Sequence, residues 1–522
     1  EGILTVISPI DGTPAARAGM KAGDRIIEID GESTVNMNLT ECVGKLRGDP
    51  GTTVILSVLI DKAAQSKLVT LKREIIVIPT VESASLEGNF GYIKIRNFQD
   101  DTSQCLNEHL KRLKMSTDKL KGLIVDLRNN SGGLLDQAIE VADKFLEIGD
   151  IVITVGPGGH PREVAEARKT DTDEALYPMV VLVDAGSASG AEIVAGALKE
   201  NNRAIIVGDR SFGKGSVQQL IELMDGSALK LTIAKYLTPL STDIQSVGIT
   251  PDIKLLPVTV AKDNINLFRG IVALREEDLK QHLDEHRKDE TPFAILKYYL
   301  ETKEKDKDKD KTEEPEEEAG DPYKLPDFNT DFHVIFAKKL LTKATAWQRE
   351  NFLQNSSPVL EETARSEEKK IALALQKLDI DWSAGTGTGT VKTNASFSSN
   401  PINRRAKAGD KITLTIHVAN VGEAPLYQVR GISSSKNGLF DKLEFILGKI
   451  DTGSTKSYST TIEIPKFSLD REDEVTIKFE ELNHHNPKDI KINIITEALL
   501  RPLFAYSYQI LDTLKDSSKN NG

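Results

Sequence analysis

Ser189 and Lys214 are the two residues of this chain whose types and settings suit nucleophilic chemistry. Ser189 stands where the apolar run Met179-Val180-Val181-Leu182-Val183-Asp184 breaks into Ala185-Gly186-Ser187-Ala188 and a helix begins. A serine at such a junction exposes its hydroxyl, and the free N–H groups and positive dipole end of the helix face whatever binds there. The N–H of Gly190 would then donate to a developing oxyanion. A second donor must come from another loop. Gly132 is the candidate, because the turn Asn130-Ser131-Gly132-Gly133 ends a neighbouring strand in the same way. The same position also suits a plain helix cap, with Glu192 at the third helical position completing a capping box. Position alone leaves both readings open.

A nucleophilic serine needs a base. No Asp–His pair has a recognisable spacing, and His160 lies in a Gly/Pro loop. Gly-x-Ser-x-Gly is not formed, since positions 187 and 191 hold Ser and Ala. Lys214, set between Gly213 and Gly215 after an apolar strand and Phe212, is the alternative. A lysine acts as a base only where burial lowers its pKa from about 10.4 towards about 7–8. Gln218, four residues on, would orient the amine if the segment is helical or loops back. Gly208-Asp209-Arg210-Ser211-Phe212-Gly213-Lys214 begins like a phosphate-binding loop, but Gly215 stands where a metal-binding hydroxyl is required. Nucleotide hydrolysis is therefore set aside.

Composition removes other classes. The net charge of −12, from 67 basic and 79 acidic residues, argues against broad nucleic-acid binding. Cys42 and Cys105 fall in different domains, so neither a disulfide framework nor a cysteine-rich zinc site is expected. The eight histidines form no ligand-spaced cluster. No apolar run is long enough to span a membrane as a helix.

The elements that must position the pair are legible in the pattern. At 522 residues the chain exceeds one core and is expected to be multidomain. Residues 1–80 alternate β-branched runs with turn signals: a strand near Ile3, a short helix at Ala15–Ala18, a strand to Ile29, the turn Asp30-Gly31, a helix over 38–47 and a strand from Thr53. Residues 81–257 read as α/β, with apolar strands ending repeatedly in Gly/Ser turns that launch helices, which places a reactive site at the strand C-termini. Residues 258–300 are predicted to be a helical extension and 326–384 a helical region. Between them, within 301–325, Lys303–Glu318 carries five lysines against nine acids and reads as a linker. The Gly-Thr repeat at 385–390 is a second linker, and 391–500 alternates as an immunoglobulin-like β-sandwich. Residues 501–522 read as a tail that turns polar from Tyr508 to Gly522 and suggests that the natural protein continues.

The segments "DLRNNSGG", "VDAGSASGAEIVAGALKENNRAIIVGDRSFGKGSVQ" and "SVGITPDI" together closely resemble the C-terminal processing peptidases, or tail-specific proteases, and "SPIDGTPAARAGMKAGDRIIEIDG" resembles a PDZ domain of bacterial proteases. The resemblance covers roughly residues 1–257 and implies a ClpP/crotonase-like peptidase core. It implies Ser189 as nucleophile, Lys214 as general base, Gln218 as the residue that positions the lysine, and an oxyanion hole from Gly190 and the Gly132-Gly133 turn. It implies no cofactor, polypeptide substrates with exposed C-termini, and an extracytoplasmic bacterial location. The family usually reads Ser-Ala-Ser-Ala-Ser-Glu here, and this chain has Gly190 and Ala191 in the fourth and fifth places. In the family, the glycine-containing loop and strand that hold a peptide's carboxylate precede the position of Ile3, so an N-terminally truncated PDZ domain without the full groove is expected. A homo-oligomer, and cell-envelope proteins docked on the β-sandwich, are further partners this reading allows. The alternatives are a silent peptidase fold used as a scaffold and a surface-assembly protein led by the sandwich. Nothing in 260–522 carries a catalytic constellation, so deleting 320–522 is expected to spare hydrolysis of a small ester.

Overall fold

In the computed structural model, the central apolar runs of residues 81–257 assemble into one mixed sheet, while Pro161–Glu166, Asp150–Val155, Ala228–Leu237 and Ser216–Glu222 form a second, antiparallel one. The structure describes residues 4–6, 13–20, 24–34, 37–59, 66–76, 79–116, 119–156, 161–169, 176–223, 227–261, 264–268, 275–278, 290–301, 325–386, 390–466 and 468–499. Two compact units are formed, one within Glu1–Pro257, Ile271–Tyr298 and Lys303–Glu367, the other within Val258–Gly270, Tyr299–Thr302 and Glu368–Gly522.

In the first unit the sheet runs, in spatial order, Ile253–Ala261, Ile205–Gly208, Met179–Val183, Gly122–Asp126, Phe90–Ile95 and Val81–Leu86. Its neighbours pair in parallel except the last two strands, which form an antiparallel hairpin. The central strands Gly122–Asp126, Met179–Val183 and Ile205–Gly208 are buried along their whole length because both faces are covered, as parallel sheets require. On one face, Val125, Val181 and Ile206 pack under the helices Thr102–Met115, Leu135–Asp143 and Gly190–Glu200. On the other, Tyr92, Ile124, Val180, Leu182 and Val207 pack against Val334, Phe336, Leu340 and Leu341 of the helix Phe332–Lys343, and against Phe352 and Leu353 of Arg349–Asn355.

That second face corrects two expectations. Residues 332–355 are half of the peptidase sheet's cover rather than a spacer, so deleting 320–522 would bare an apolar face and cannot be expected to spare activity. Ion pairs fix the cover at two points: Arg128 with Asp331 at 2.9 Å, and Arg349 Nε with Asp252 at 3.0 Å. The predicted helical extension at 258–300 is not found in its described residues, and 262–263, 269–274 and 279–289 lie outside them. Its described residues form the strands Ile253–Ala261, Asn264–Asn266 and Ala294–Tyr299 and one 3₁₀ turn, Glu276–Asp278. Val258 and Val260 are buried while their neighbours are half-exposed, a period of two that apolar spacing over a long window had masked.

Near the N-terminus a sheet ordered Leu4–Thr5, Arg25–Ile29, Thr53–Leu59 and Ser66–Lys72 packs Ile26, Ile29, Leu56, Val58 and Val69 around Met20 and Cys42. The helix Leu39–Leu46 opens on a reciprocal capping box between Asn38 and Glu41. Both cysteines are free. In the second unit, two sheets, of three strands (Thr393–Asn400, Lys411–Asn420, Thr455–Glu463) and five strands (Arg405–Lys407, Ile490–Glu497, Arg471–Glu480, Leu426–Ser435, Glu444–Ile450), share one core. The linker at 302–324 and the tail 501–522 lie outside the described residues.

Candidate active site

Three segments meet at the C-terminal ends of the central strands: 128–134, 184–192 and 209–215. Ser189 caps the helix Gly190–Glu200 with φ 52° and ψ −114°. A β-carbon-bearing residue rarely takes that backbone conformation, and it survives only where the surroundings over-determine it. They do. Ser187 Oγ donates to Leu127 O at 2.8 Å, Ala188 N–H to Asn130 O at 2.9 Å, and Ser189 N–H to Glu192 Oε2 at 2.8 Å. The Glu192 N–H donates to the Ser189 carbonyl oxygen at 2.9 Å, and the Glu192 carboxylate returns to the Ser189 N–H in the capping box expected of this turn.

Glu192 is fully buried and joins the serine turn to the lysine loop. Besides Ser189 N–H it accepts from Ser211 Oγ at 2.5 Å, Gly213 N–H at 2.7 Å and Lys214 N–H at 2.9 Å. The backbone nitrogens of Ser189 and Lys214 thus bond to the same carboxylate oxygen. Burial pushes the Glu192 carboxyl up to about 7, against the pull of its four donors. Lys214 is half-buried, and among the described residues no hydrogen bond joins its Nζ to Ser189 Oγ. Contacts of that kind are often long before substrate binds. Gln218 lies in the strand Ser216–Glu222, opposite Thr232 and just past a bulge, not in a helix; its side chain lies outside the described residues.

Among the described residues, the Gly132-Gly133 turn leaves free a different amide from the one the sequence singles out. Gly132 is in place: a Cβ there would stand 2.7 Å from Ser189 Cβ and 3.0 Å from Gly190 N. Its N–H, however, already donates to Asn130 Oδ1 at 2.8 Å. The Gly133 N–H, next in the same turn, has no hydrogen-bond partner among the described residues, and neither has that of Gly190. Gly133 has φ 147° and lies so close to the Phe98 carbonyl that a Cβ would fall 2.1 Å from its oxygen. Only glycine fits. Phe98 anchors this turn through Phe98 N–H to Gly132 O at 3.0 Å and Leu134 N–H to Phe98 O at 2.8 Å.

Behind the turn lies a charged support that the sequence reading missed. Asp126 accepts from Tyr92 Oη at 2.7 Å, Lys94 Nζ at 3.2 Å and Arg128 N–H at 2.9 Å, and forms an ion pair with the Arg128 guanidinium at 2.6 Å. Burial pushes its carboxyl up, but Arg128 and Lys94 outweigh burial and hold it well below the usual range. Asp-Leu-Arg at a strand end was the available signal. Glu192 was also visible, but only as the partner in a helix cap.

The profile of peptidase family S41 matches residues 89–255, and that of a PDZ domain matches residues 5–60. A carboxy-terminal-processing protease of Bartonella bacilliformis is 44% identical over 288 residues, which are 54% of this chain and 64% of that protein. The carboxy-terminal processing protease CtpA of Bacillus subtilis is 38% identical over 255 residues, 49% of this chain and 53% of that one. Among solved structures, a photosystem II D1 C-terminal processing protease is 32% identical, covering 48% of this chain and 68% of that one, with a TM-score of 0.35. The chain thus spans between half and two thirds of the length of these two curated relatives.

Proposed function

We propose that this chain, whose residues 89–255 belong to peptidase family S41 and follow a PDZ domain, is a serine endopeptidase working through Ser189 and Lys214. The observation that carries the reading is Ser189 in a strained backbone conformation at a helix N-terminus, tied through Glu192 to the lysine loop. Ser189 Oγ attacks the scissile carbonyl carbon while its proton passes to Lys214 Nζ. The C–N bond then breaks, the proton leaves with the amine, and an acyl-enzyme remains. Water, deprotonated by the same amine, hydrolyses the ester and restores the serine. The N–H groups of Gly190 and Gly133 stabilise the oxyanion in both halves. Gln218 orients the amine in this scheme.

Substrates are extended polypeptides cut near their C-termini, with the PDZ domain selecting the tail. The names of the relatives support this. We read the two-sheet unit at 393–497 as immunoglobulin-like, a docking module outside the chemistry. The test is covalent labelling by a fluorophosphonate together with β-casein turnover. Wild type is expected to label at Ser189 and degrade casein. Ser189→Ala should abolish both, and Lys214→Ala should lower both about 10³-fold or more. Wild type that neither labels nor cleaves, while still binding C-terminal peptides, would make the fold a scaffold.

A further inference from the structure

The lysine loop is flanked by glycines, so it is not stiff by itself. Gly213 and Gly215 stand on either side of Lys214, and a long side chain on such a backbone reaches a reacting oxygen reproducibly only if both flanks are fixed from outside. Glu192 fixes the N-terminal flank, through the N–H groups of Gly213 and Lys214. The C-terminal flank has its own clamp.

Gln245 is 1% exposed. Its Oε1 accepts from Gly215 N–H at 3.0 Å, and its Nε2 donates to Glu276 Oε1 at 2.9 Å. The approach is close, since a Cβ on Gly215 would fall 2.5 Å from Gln245 N. Glu276 belongs to the 3₁₀ turn Glu276–Asp278, whose neighbourhood grips the same loop at three more points. Glu276 N–H donates to Phe212 O at 3.1 Å, Arg275 pairs with Asp209 at 2.8 Å, and Glu277 pairs with Arg210. On the loop's other side, Ser246 N–H donates to Gly213 O at 2.8 Å.

We infer that Gln245 is a positioning residue for Lys214, and that the 275–277 turn is the clamp that keeps its amide in the working orientation. This deepens the peptidase reading and rests on it. A carboxylate at 276 accepts from Nε2 and so forces Oε1 towards Gly215. A glutamine with no such partner could present either end of its amide, and one of them would repel the Gly215 N–H. The 3₁₀ turn between the strand at 253–261 and that at 294–299 therefore has a task at the catalytic base.

The experiment is the rate of fluorophosphonate labelling at Ser189, read with thermal melting and with amide hydrogen exchange over residues 211–216. Gln245→Leu removes the acceptor for Gly215 N–H and should slow labelling about 10- to 100-fold, with the half-saturating reagent concentration unchanged. Gln245→Glu keeps an acceptor but opposes the Glu276 carboxylate, and should slow it at least as much. Combining Gln245→Glu with Glu276→Gln restores the chain of bonds, because the amide introduced at 276 donates to the carboxylate introduced at 245. That double variant should label within about threefold of wild type. A structural staple alone would not give this rescue while melting temperatures stay level. Labelling at the wild-type rate in both single variants, or a double variant no better than Gln245→Glu, overturns the proposal. If wild type itself fails to label Ser189, the dyad reading falls and exchange decides the clamp separately. The Gly215 amide should then be protected in wild type and the double variant and exposed in Gln245→Leu; fast exchange already in wild type sinks the clamp.

Discussion

Two buried carboxylates flank the same site, and they are stabilised in opposite ways. Asp126, under the Asn130–Gly133 turn, is paired with Arg128 and Lys94, and its carboxyl is held low. Glu192, under the Ser189 turn, meets one hydroxyl and three backbone N–H groups with no cation, and its carboxyl is pushed up to about 7. The first is an ionic rivet whose charge is constant across the neutral range. The second is a dipolar knot, made of the N–H groups of the serine turn and the lysine loop. The difference teaches where this site resists acid and where it does not. A support with full counter-charges holds its geometry at any working pH, whereas one made only of dipoles has its charge decided near neutrality.

Removing the rivet should have the largest effect. Asp126→Ala would leave Arg128 and Lys94 short of a buried counter-charge and orphan the Tyr92 hydroxyl. The expected loss is about 3–5 kcal/mol in urea unfolding. A variant within about 1 kcal/mol of wild type would break the contrast, because Asp331 alone would then suffice for Arg128.

The second effect follows from the raised Glu192 carboxyl. A folded-state pKa above the unfolded one favours the folded protonated form. Its stabilising contribution is present below about pH 4.5 and is lost as pH rises through about 7, a span of about 3 kcal/mol. Asp126 has the opposite sign: its contribution is present above about pH 4, and lost only in stronger acid. Between pH 5 and 8 the first term moves and the second does not. Urea unfolding of wild type and Glu192→Gln at intervals across that range should show a stability gap that shifts with pH by about that amount. A constant gap would mean that Glu192 keeps its ordinary titration, and the two carboxylates would no longer differ in kind.

Much of this was legible beforehand, for a physical reason. Strand ends, helix starts and glycine-bearing turns are local events, so the places of Ser189, Lys214 and the Gly132-Gly133 turn could be read from apolar runs and their punctuation, whereas their roles rested on the resemblance to the processing peptidases. Which amide of that turn stays free depended on an Asn130 side chain folding back two residues, a choice the sequence permits but does not force. Glu192 and Gln245 look like ordinary helix and loop residues until chain segments 19 to 31 positions away are brought against them. The 258–300 region failed for a different reason. Short strands joined by charged stretches give too few periods to separate an alternation of two from one of 3.6. The cover helices at 332–355 were recognised as helices, but their apolar stripe does not say which face it meets.

The smallest expected effect tests the seam between rivet and knot. Phe98 bonds to both ends of the oxyanion turn through its backbone, and its ring fills the space beside Gly190, where a Cβ would fall 2.9 Å from Phe98 Cδ2 and 3.3 Å from Ala138 Cβ. As packed, the Phe98 ring leaves no room for a Cβ at position 190. Gly190→Ala must displace that ring, and overpacking of this kind costs about 1–3 kcal/mol. Phe98→Leu frees the room, so the double variant should be more stable than the two single losses predict, by about 1 kcal/mol. Labelling of Ser189 should recover with it, since the ring no longer pushes the Gly133 turn away from the Gly190 N–H. Additive losses would mean that the two halves of the site pack independently, and that Phe98 steadies one without reporting on the other.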